Sequence, residues 1–496
     1  MRPNILVFMT DQQRGDTMLP EGPARMPNLQ RLIRQGVVFP KAYCPSPHCC
    51  PSRASFFSGL YPSQHGVWNN VDLADAHSKG LYDGVKLFSE DLREAGYQMY
   101  FSGKWHVSAA ENPADRGFEE LYLKVRQTGE KAEQRNKPDM RDWEWFRQKC
   151  YQTGKEKRKD GEIQREGFPQ YIQYGEAENP FGDEAVIEHA VIQLKKMKEN
   201  EPFFMYVGTL GPHDPYYVPK KYLDWYPIDS IVLPENFGDA MEDKPHLYQR
   251  TRKRFSQLST EEQKRSLQHY LAFCSYEDAL FGRILDTLEE QKLLESTIVI
   301  YLSDHGDYGG AHGLWTKGLP CFQEAYHICS AVGFGGVKAK GRRVEEMISL
   351  VDYAPTFLDL AGIKPDRTFA GQSLVPFLNG NTPAHWRKEL YTQSNGNELY
   401  GIQRAVFNER FKFVYNGFDF DELYDLQRDP LERYNLANQP EYAGVVKDLY
   451  KKIWDFAYRN EDMLGDSYIT TALCDFGPGI LDELKQLCEW EDKPSI

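Results

Sequence analysis

Short apolar runs alternate with amphipathic stretches over most of the chain. Asn4–Met9, Gln98–Phe101, Phe203–Gly208, Thr297–Leu302 and His327–Val332 are near-continuous apolar runs without strict polar alternation. Such runs read as strands buried on both faces, as in a parallel sheet covered by helices. Between them, Asn28–Gln35, Lys86–Ala95, Glu184–Glu199, Glu261–Gln291 and Tyr353–Ala361 read as helices. In the third of these, Ala185, Ile187, Ala190, Val191 and Leu194 form an apolar face. Strand and helix in alternation predict an α/β fold with a large mixed, mostly parallel sheet flanked by helices.

The alternation breaks twice. Residues 112–183 are polar and charge-rich, with Trp143 and Trp145 embedded, and read as an insertion. Beyond about Val375 the pattern changes to short pairs, Leu390–Thr392, Ala405–Phe407 and Phe411–Val414, then Glu422–Tyr424 and a helix from Glu441. Two domains are predicted: 1–375 with the insertion, and a smaller α+β domain with a tail over 376–496, an antiparallel sheet plus one helix.

At 496 residues the chain builds a core without disulfide or metal staples. Its 41% apolar and 27% charged residues exclude a disordered polymer. A net charge of −14 argues against nucleic-acid binding. The N-terminal apolar run Ile5–Met9 is too short for a membrane span, and Asp11 interrupts any signal peptide. Nine cysteines spread from Cys44 to Cys488 without framework spacing read as reduced thiols of a cytoplasmic protein. A homo-oligomer is compatible with all of this.

The densest chemistry lies in Cys49-Cys50-Pro51-Ser52-Arg53-Ala54-Ser55-Phe56-Phe57-Ser58-Gly59. Pro51 fits the first turn of a helix, which puts Cys49 at an N-terminus where free amides favour negative charge. Arg53 returns to the same end one turn later. A nucleophile, a helix N-terminus and a guanidinium together suit attack on a tetrahedral oxyanion ester. Alternatively Cys49 is a small buried hydrophobe, or Cys44, His48, Cys49 and Cys50 form half of a zinc cluster.

Two strands end in ligand-bearing residues, Asp11-Gln12 after the first and Asp304-His305 after Ile298–Leu302. Carboxyl ends of strands in an open α/β sheet are where ligands bind, so these four residues can converge on one cation. Oxygen-rich ligation favours Ca²⁺ or Mg²⁺, and His305 keeps Mn²⁺ in range. Three further motifs follow strands or the Asp304 turn: Gly103-Lys104-Trp105-His106, Gly211-Pro212-His213-Asp214-Pro215 and Gly313-Leu314-Trp315-Thr316-Lys317-Gly318. Each taken alone also fits a surface lysine or a packed histidine. Asn70 and His312 are candidate substrate contacts, and Asn70 equally fits a turn cap.

In their order, these motifs resemble those of the sulfatase family of the alkaline-phosphatase superfamily. The resemblance runs from Asn4 to about Ala437, including Glu422-Leu423-Tyr424-Asp425 and Asn435-Leu436-Ala437. It implies that Cys49 is converted to formylglycine by a separate formylglycine-generating enzyme. It also implies one cation, Ca²⁺ in the family, held by Asp11, Gln12, Asp304, His305 and residue 49. Lys104, His213 and Lys317 would grip sulfate oxygens, one of them protonating the leaving oxygen, and His106 would orient the nucleophile. Two departures stand out: Ser58-Gly59 where the family usually has Thr-Gly, and Asp11-Gln12 where most members have Asp-Asp.

A gem-diol makes chemical sense here, because one hydroxyl can attack while deprotonation of the other expels sulfate. The expected activity is hydrolysis of a sulfate ester of a small sugar or aryl alcohol. The alternatives are a phosphonate monoester or phosphodiester hydrolase on the same scaffold, against which Lys104 and His106 weigh, or a non-catalytic anion-binding protein if Cys49 stays a thiol. The acidic net charge concerns steering rather than the pocket, and it disfavours long sulfated polymers more than small esters.

Overall fold

In a computed structural model, residues 2–73, 76–124, 158–166, 170–198, 201–397, 399–462 and 474–481 are described. Eight strands form the main sheet: β1 (Asn4–Thr10), β2 (Gly36–Val38), β3 (Gln98–Gly103), β4 (Glu119–Leu123), β5 (Phe203–Gly208), β6 (Thr297–Ser303), β7 (Ser330–Phe334) and β8 (Arg342–Arg343). Their order is β8-β2-β7-β6-β1-β5-β3-β4, and β7 alone runs against the others. β1 lies at the centre, with Ile5–Met9 fully buried, as its unbroken apolar run predicts.

The strand period of two divides β1 between two cores. Ile5, Val7 and Met9 pack with helices α2 (Cys49–Ser58), α3 (Phe88–Glu94) and α6 (Tyr353–Leu360). Leu6 and Phe8 pack with α1 (Pro27–Arg34), α4 (Asp183–Leu194) and α5 (Thr260–Glu290). The long α5 begins with a capping box in which Ser259 Oγ accepts from Glu262 N at 3.3 Å and Glu262 Oε2 accepts from Ser259 N at 2.8 Å.

The predicted runs correspond to β1, β3, β5, β6 and β7. The 112–183 segment is not wholly an insertion, because Glu119–Leu123 forms the edge strand β4. Its described remainder makes two small ladders, Glu162–Ile163 with Tyr171–Ile172 and Tyr174–Glu176 with Tyr216–Val218. Trp143 and Trp145 lie outside the described residues.

The second sheet is antiparallel throughout, β9 (Leu390–Gly396), β10 (Tyr400–Phe407), β11 (Phe411–Asn416) and β12 (Glu422–Asp425). One face packs on α7 (Ala443–Arg459) through Val406, Phe413 and Leu423 against Leu449, Ile453 and Trp454. Its other face joins the main body, where the Tyr248 hydroxyl donates to Glu422 Oε1 at 2.7 Å. The Tyr248 hydroxyl oxygen in turn accepts from Gln403 Nε2 at 3.1 Å and Cys321 N at 3.0 Å. Among the described residues no helix is long and apolar enough to cross a membrane.

Candidate active site

All ten residues of α2 are buried, so this helix runs through the body rather than over it. Gly59 ends it at φ +72°, its N–H donating to Ser55 O at 2.9 Å. A Cβ there would press on Phe369 and Ala354, so glycine serves both the left-handed turn and the close packing. At the other end the Cys50 N–H donates to Asn70 Oδ1 at 3.1 Å, and the Asn70 N–H donates to Asn397 Oδ1 at 2.9 Å. Asn70 is therefore a tether for the helix start, as well as lying beside the nucleophile position.

Four loops from the carboxyl ends of β1, β6, β3 and β5 meet the α2 N-terminus. Cys49 Sγ lies 3.2 Å from His305 Nε2 and 3.7 Å from Asp11 Oδ1. Arg53 Nε donates to Asp304 Oδ2 at 2.8 Å, and its terminal nitrogens donate to Asp11 Oδ2 at 3.2 Å, Tyr206 Oη at 2.8 Å and Lys104 O at 3.0 Å. Arg53 is thus pinned on every side and fully buried. Lys104 Nζ also donates to Asp11 Oδ2.

Charge compensation is tight. Burial pushes the Asp11 carboxyl up and Cys49 adds to it, but Lys104 and Arg53 prevail and hold it below the carboxylate range. Burial likewise pushes the Cys49 thiol up, and Lys104, Lys317 and His305 pull it well below the ordinary thiol value. The position therefore favours an anion at residue 49. The sulfur in this structure stands where an oxygen nucleophile would stand after conversion.

Ligand atoms of Asp11, Cys49, Asp304 and His305 all lie within 4.8 Å of one another. His305 Nε2 is 3.7 Å from both Asp11 Oδ1 and Asp304 Oδ1. Such spacings suit neighbouring ligands of one cation bonded at ~2.3–2.6 Å, and the two carboxylates, with an oxygen in place of the sulfur at position 49, suit a hard ion. Gln12 approaches differently. Its main-chain N–H donates to Asp304 Oδ1 at 3.0 Å, while its side-chain oxygen accepts from Lys317 Nζ at 2.5 Å.

Lys317 Nζ also donates to His213 Nε2 at 2.6 Å. His213 Nδ1 lies 2.5 Å from Asp214 O, which fixes the proton on Nδ1 and leaves Nε2 as the acceptor. His106 Nε2 is 3.1 Å from Asp72 Oδ1, and its buried Nδ1 has no hydrogen-bond partner. Burial opposes protonation of His106, but Cys50 and Asp72 raise its pKa well above the usual imidazole value. Gln12, His106 and Thr316 hold left-handed φ of 65°, 56° and 66°, a clustering of backbone strain around one site.

His312 is not among the groups gathered there. Its ring stacks on Phe322 at 3.5 Å, Nδ1 meets Asp239 Oδ2 at 2.7 Å and Nε2 meets Asn236 Nδ2 at 3.0 Å. These contacts are those of a packed, fully buried imidazole. The zinc-cluster alternative is also disfavoured, since Cys44 Sγ points to Ala325 O. Sequence reasoning missed Asp72, Tyr206, Asn397 and the supporting roles of Asp214 and Asp307; Asp214 sits inside a motif already singled out, and Asp307 lies two residues past His305.

A family model described as Sulfatase matches residues 3–363, and one described as N-sulphoglucosamine sulphohydrolase, C-terminal, matches residues 310–459. A choline-sulfatase of Rhizobium meliloti (strain 1021) is 30% identical over 458 residues, covering 88% of this chain and 83% of the relative. An arylsulfatase of Clostridium perfringens (strain 13 / Type A) is 28% identical over 469 residues, covering 91% and 93%. Among solved structures, the phosphonate monoester hydrolase of Agrobacterium radiobacter superposes with a TM-score of 0.74 at 23% identity, covering 92% of this chain and 96% of that one.

Proposed function

The chain belongs to the sulfatase family and is a sulfuric ester hydrolase; from that premise we propose that it cleaves sulfate esters of small alcohols, a sugar or an aryl alcohol, with residue 49 as nucleophile. The observation that carries this reading is the buried Cys49 at a helix start, facing His305, Asp11 and Asp304, with Arg53, Lys104 and Lys317 grouped around it. The relatives' names, choline-sulfatase and arylsulfatase, support a small alcohol.

Asp11, Asp304, His305 and the side chain of residue 49 would hold a divalent cation, Ca²⁺ by its donor set; such an ion polarises sulfate oxygens and acidifies a bound hydroxyl. Formylglycine at position 49 would supply the oxygen nucleophile. The remaining work falls to this chain's own side chains. Arg53 keeps Asp11 and Asp304 oriented and offsets their charge. Lys104 and Lys317 sit where charge on sulfate oxygens would be neutralised.

Lys317 has three N–H groups; Gln12 and His213 take two, leaving one for the substrate. Since His213 Nε2 accepts, the transferable proton for the leaving oxygen rests on Lys317. His106, held by Asp72, would orient the nucleophile, and it would take the proton in the release step only after giving up its own, since its raised pKa favours the charged ring.

The test is a substrate panel on the wild type and Cys49→Ala, with mass spectrometry of the Cys49 peptide. A formylglycine mass, aryl-sulfate turnover lost in Cys49→Ala, and a kcat/KM for sulfate above that for a phosphonate monoester are expected. A higher phosphonate value transfers the chain to the phosphonate hydrolases. An unmodified thiol with activity unchanged in Cys49→Ala overturns the reading altogether.

A further inference from the structure

Gln12 occupies a place where its two ends cannot be exchanged. On one side its Nε2 donates to Asp307 Oδ2 at 2.6 Å and to Asp214 Oδ1 at 3.1 Å. On the other side its Oε1 accepts from Lys317 Nζ at 2.5 Å. Carboxylates only accept and an ammonium only donates, so the flipped amide would face two acceptors with an oxygen and a donor with an NH₂. All of these groups are buried or nearly so, and a mismatched buried polar contact is costly.

Asp307 is itself held rigid. Its Oδ2 also accepts from Tyr216 Oη at 2.6 Å, and its Oδ1 accepts from Gly309 N at 2.7 Å. Asp214 Oδ2 accepts from Tyr171 Oη at 2.8 Å. Neither carboxylate touches Cys49; Asp307 reaches the site through the Gln12 amide, and Asp214 through that amide and through His213, whose Nδ1 lies 3.4 Å from the Asp214 Oδ1.

We propose that Asp307, assisted by Asp214, is a positioning residue that locks the Gln12 amide and thereby fixes Lys317 with one N–H left for substrate. The same contacts account for glutamine at a position where an acid is common: a third carboxylate would meet two others at hydrogen-bond distance. The catalytic half of this inference rests on the sulfatase reading above; the lock itself does not.

A double-mutant cycle tests it, using Gln12→Glu, Asp307→Asn and the pair in the full-length, cation-loaded enzyme. Gln12→Glu sets a carboxylate against Asp307 and Asp214, and kcat/KM for an aryl sulfate should fall by about 100-fold or more. Asp307→Asn leaves the amide free to turn and should cost on the order of 10-fold, mainly in kcat, the two falls being of the size of lost hydrogen bonds to charged groups. The pair restores a donor opposite an acceptor, since the amide introduced at position 307 faces the carboxylate introduced at position 12 and the Tyr216 hydroxyl can turn to accept. It should be at least about 10-fold more active than Gln12→Glu alone, a coupling of the size seen for contacting residues.

Melting temperatures of the four proteins supply the second readout and need no turnover. A pair that melts higher than Gln12→Glu, or that folds where a single variant does not, supports the lock even if the wild type hydrolyses no sulfate ester, in which case the sulfatase reading alone fails. Losses that simply multiply in kcat/KM and add in melting temperature overturn it, as does Asp307→Asn indistinguishable from wild type in both.

Discussion

Lys317 and Arg53 carry the same charge and do different jobs. Arg53 is fully buried and spent on Asp11, Asp304, Tyr206 and the Lys104 carbonyl, whereas Lys317 retains an N–H. Lys317→Ala should therefore lower kcat/KM by about 10²–10³, the usual cost of removing one donor to developing charge. Lys317→Arg should rescue little, because a planar fork cannot replace a point donor at this spacing. Steady-state kinetics on an aryl sulfate check both. The paired carboxylates Asp11 and Asp304 lead to a second expectation: a chelator should abolish activity and lower the melting temperature, and Ca²⁺ at ~100 Kd should return ~2.7 kcal/mol. At this scale the sequence made the chemistry-bearing groups legible, since strand ends and a helix start converge in any α/β sheet. It did not reveal their partners. Asp72 reaches His106 and Asp307 reaches Gln12 across 34 and 295 positions, contacts with no local signature. His312 drew attention by standing close to Lys317, but its own partners Asp239 and Asn236 come from a distant loop.

Helix α2 and the turn after it behave as one unit. His65 is fully buried, its Nδ1 accepting from Val67 N at 3.1 Å, which puts the proton on Nε2 facing Ser55 Oγ at 2.9 Å. Burial lowers its pKa to about 3. The imidazole is neutral when folded, while the unfolded chain binds a proton below the usual value near 6.5. The unfolded state thus holds the extra proton from about pH 6.5 down, so acid destabilises the fold through this window. Buried His48, lowered to about 3, and His269, lowered to about 4, act with the same sign. His65→Asn should make the pH dependence of stability shallower between pH 6 and 4.5 by about 1.4 kcal/mol per pH unit, one proton's worth, in chemical denaturation. An unaltered slope would sink the assignment. Among elements, those with long apolar runs were legible. Gly36–Val38 and Arg342–Arg343 are too short to carry a period, and Glu119–Leu123 is a half-buried edge whose two glutamates look like loop.

The molecule as a whole is two sheets joined by buried polar contacts as well as by apolar packing. Tyr248 is the clearest of these, since its hydroxyl serves Glu422, Gln403 and Cys321 at once. Tyr248→Phe would strand the buried Cys321 N–H, while Asn416 still donates to Glu422 and Gln403 still donates to Leu319 O and Asn416, and should cost about 1–3 kcal/mol, seen as a lower melting temperature with a single transition. Two separated transitions would show instead that the sheets unfold independently. The net charge of −14 also reads differently at this scale, because the cations are gathered inward around Cys49 and the surplus acids lie elsewhere. Finally, a helix with no face to solvent has a consequence for biosynthesis. Cys49 is 2% exposed and sits at the start of a segment enclosed along its whole length. No second protein can grasp that segment once the sheet and its flanking helices have closed. Any enzyme that alters Cys49 must therefore meet the chain while it is still being made or is still open, and a molecule that folds first is committed to its thiol for life.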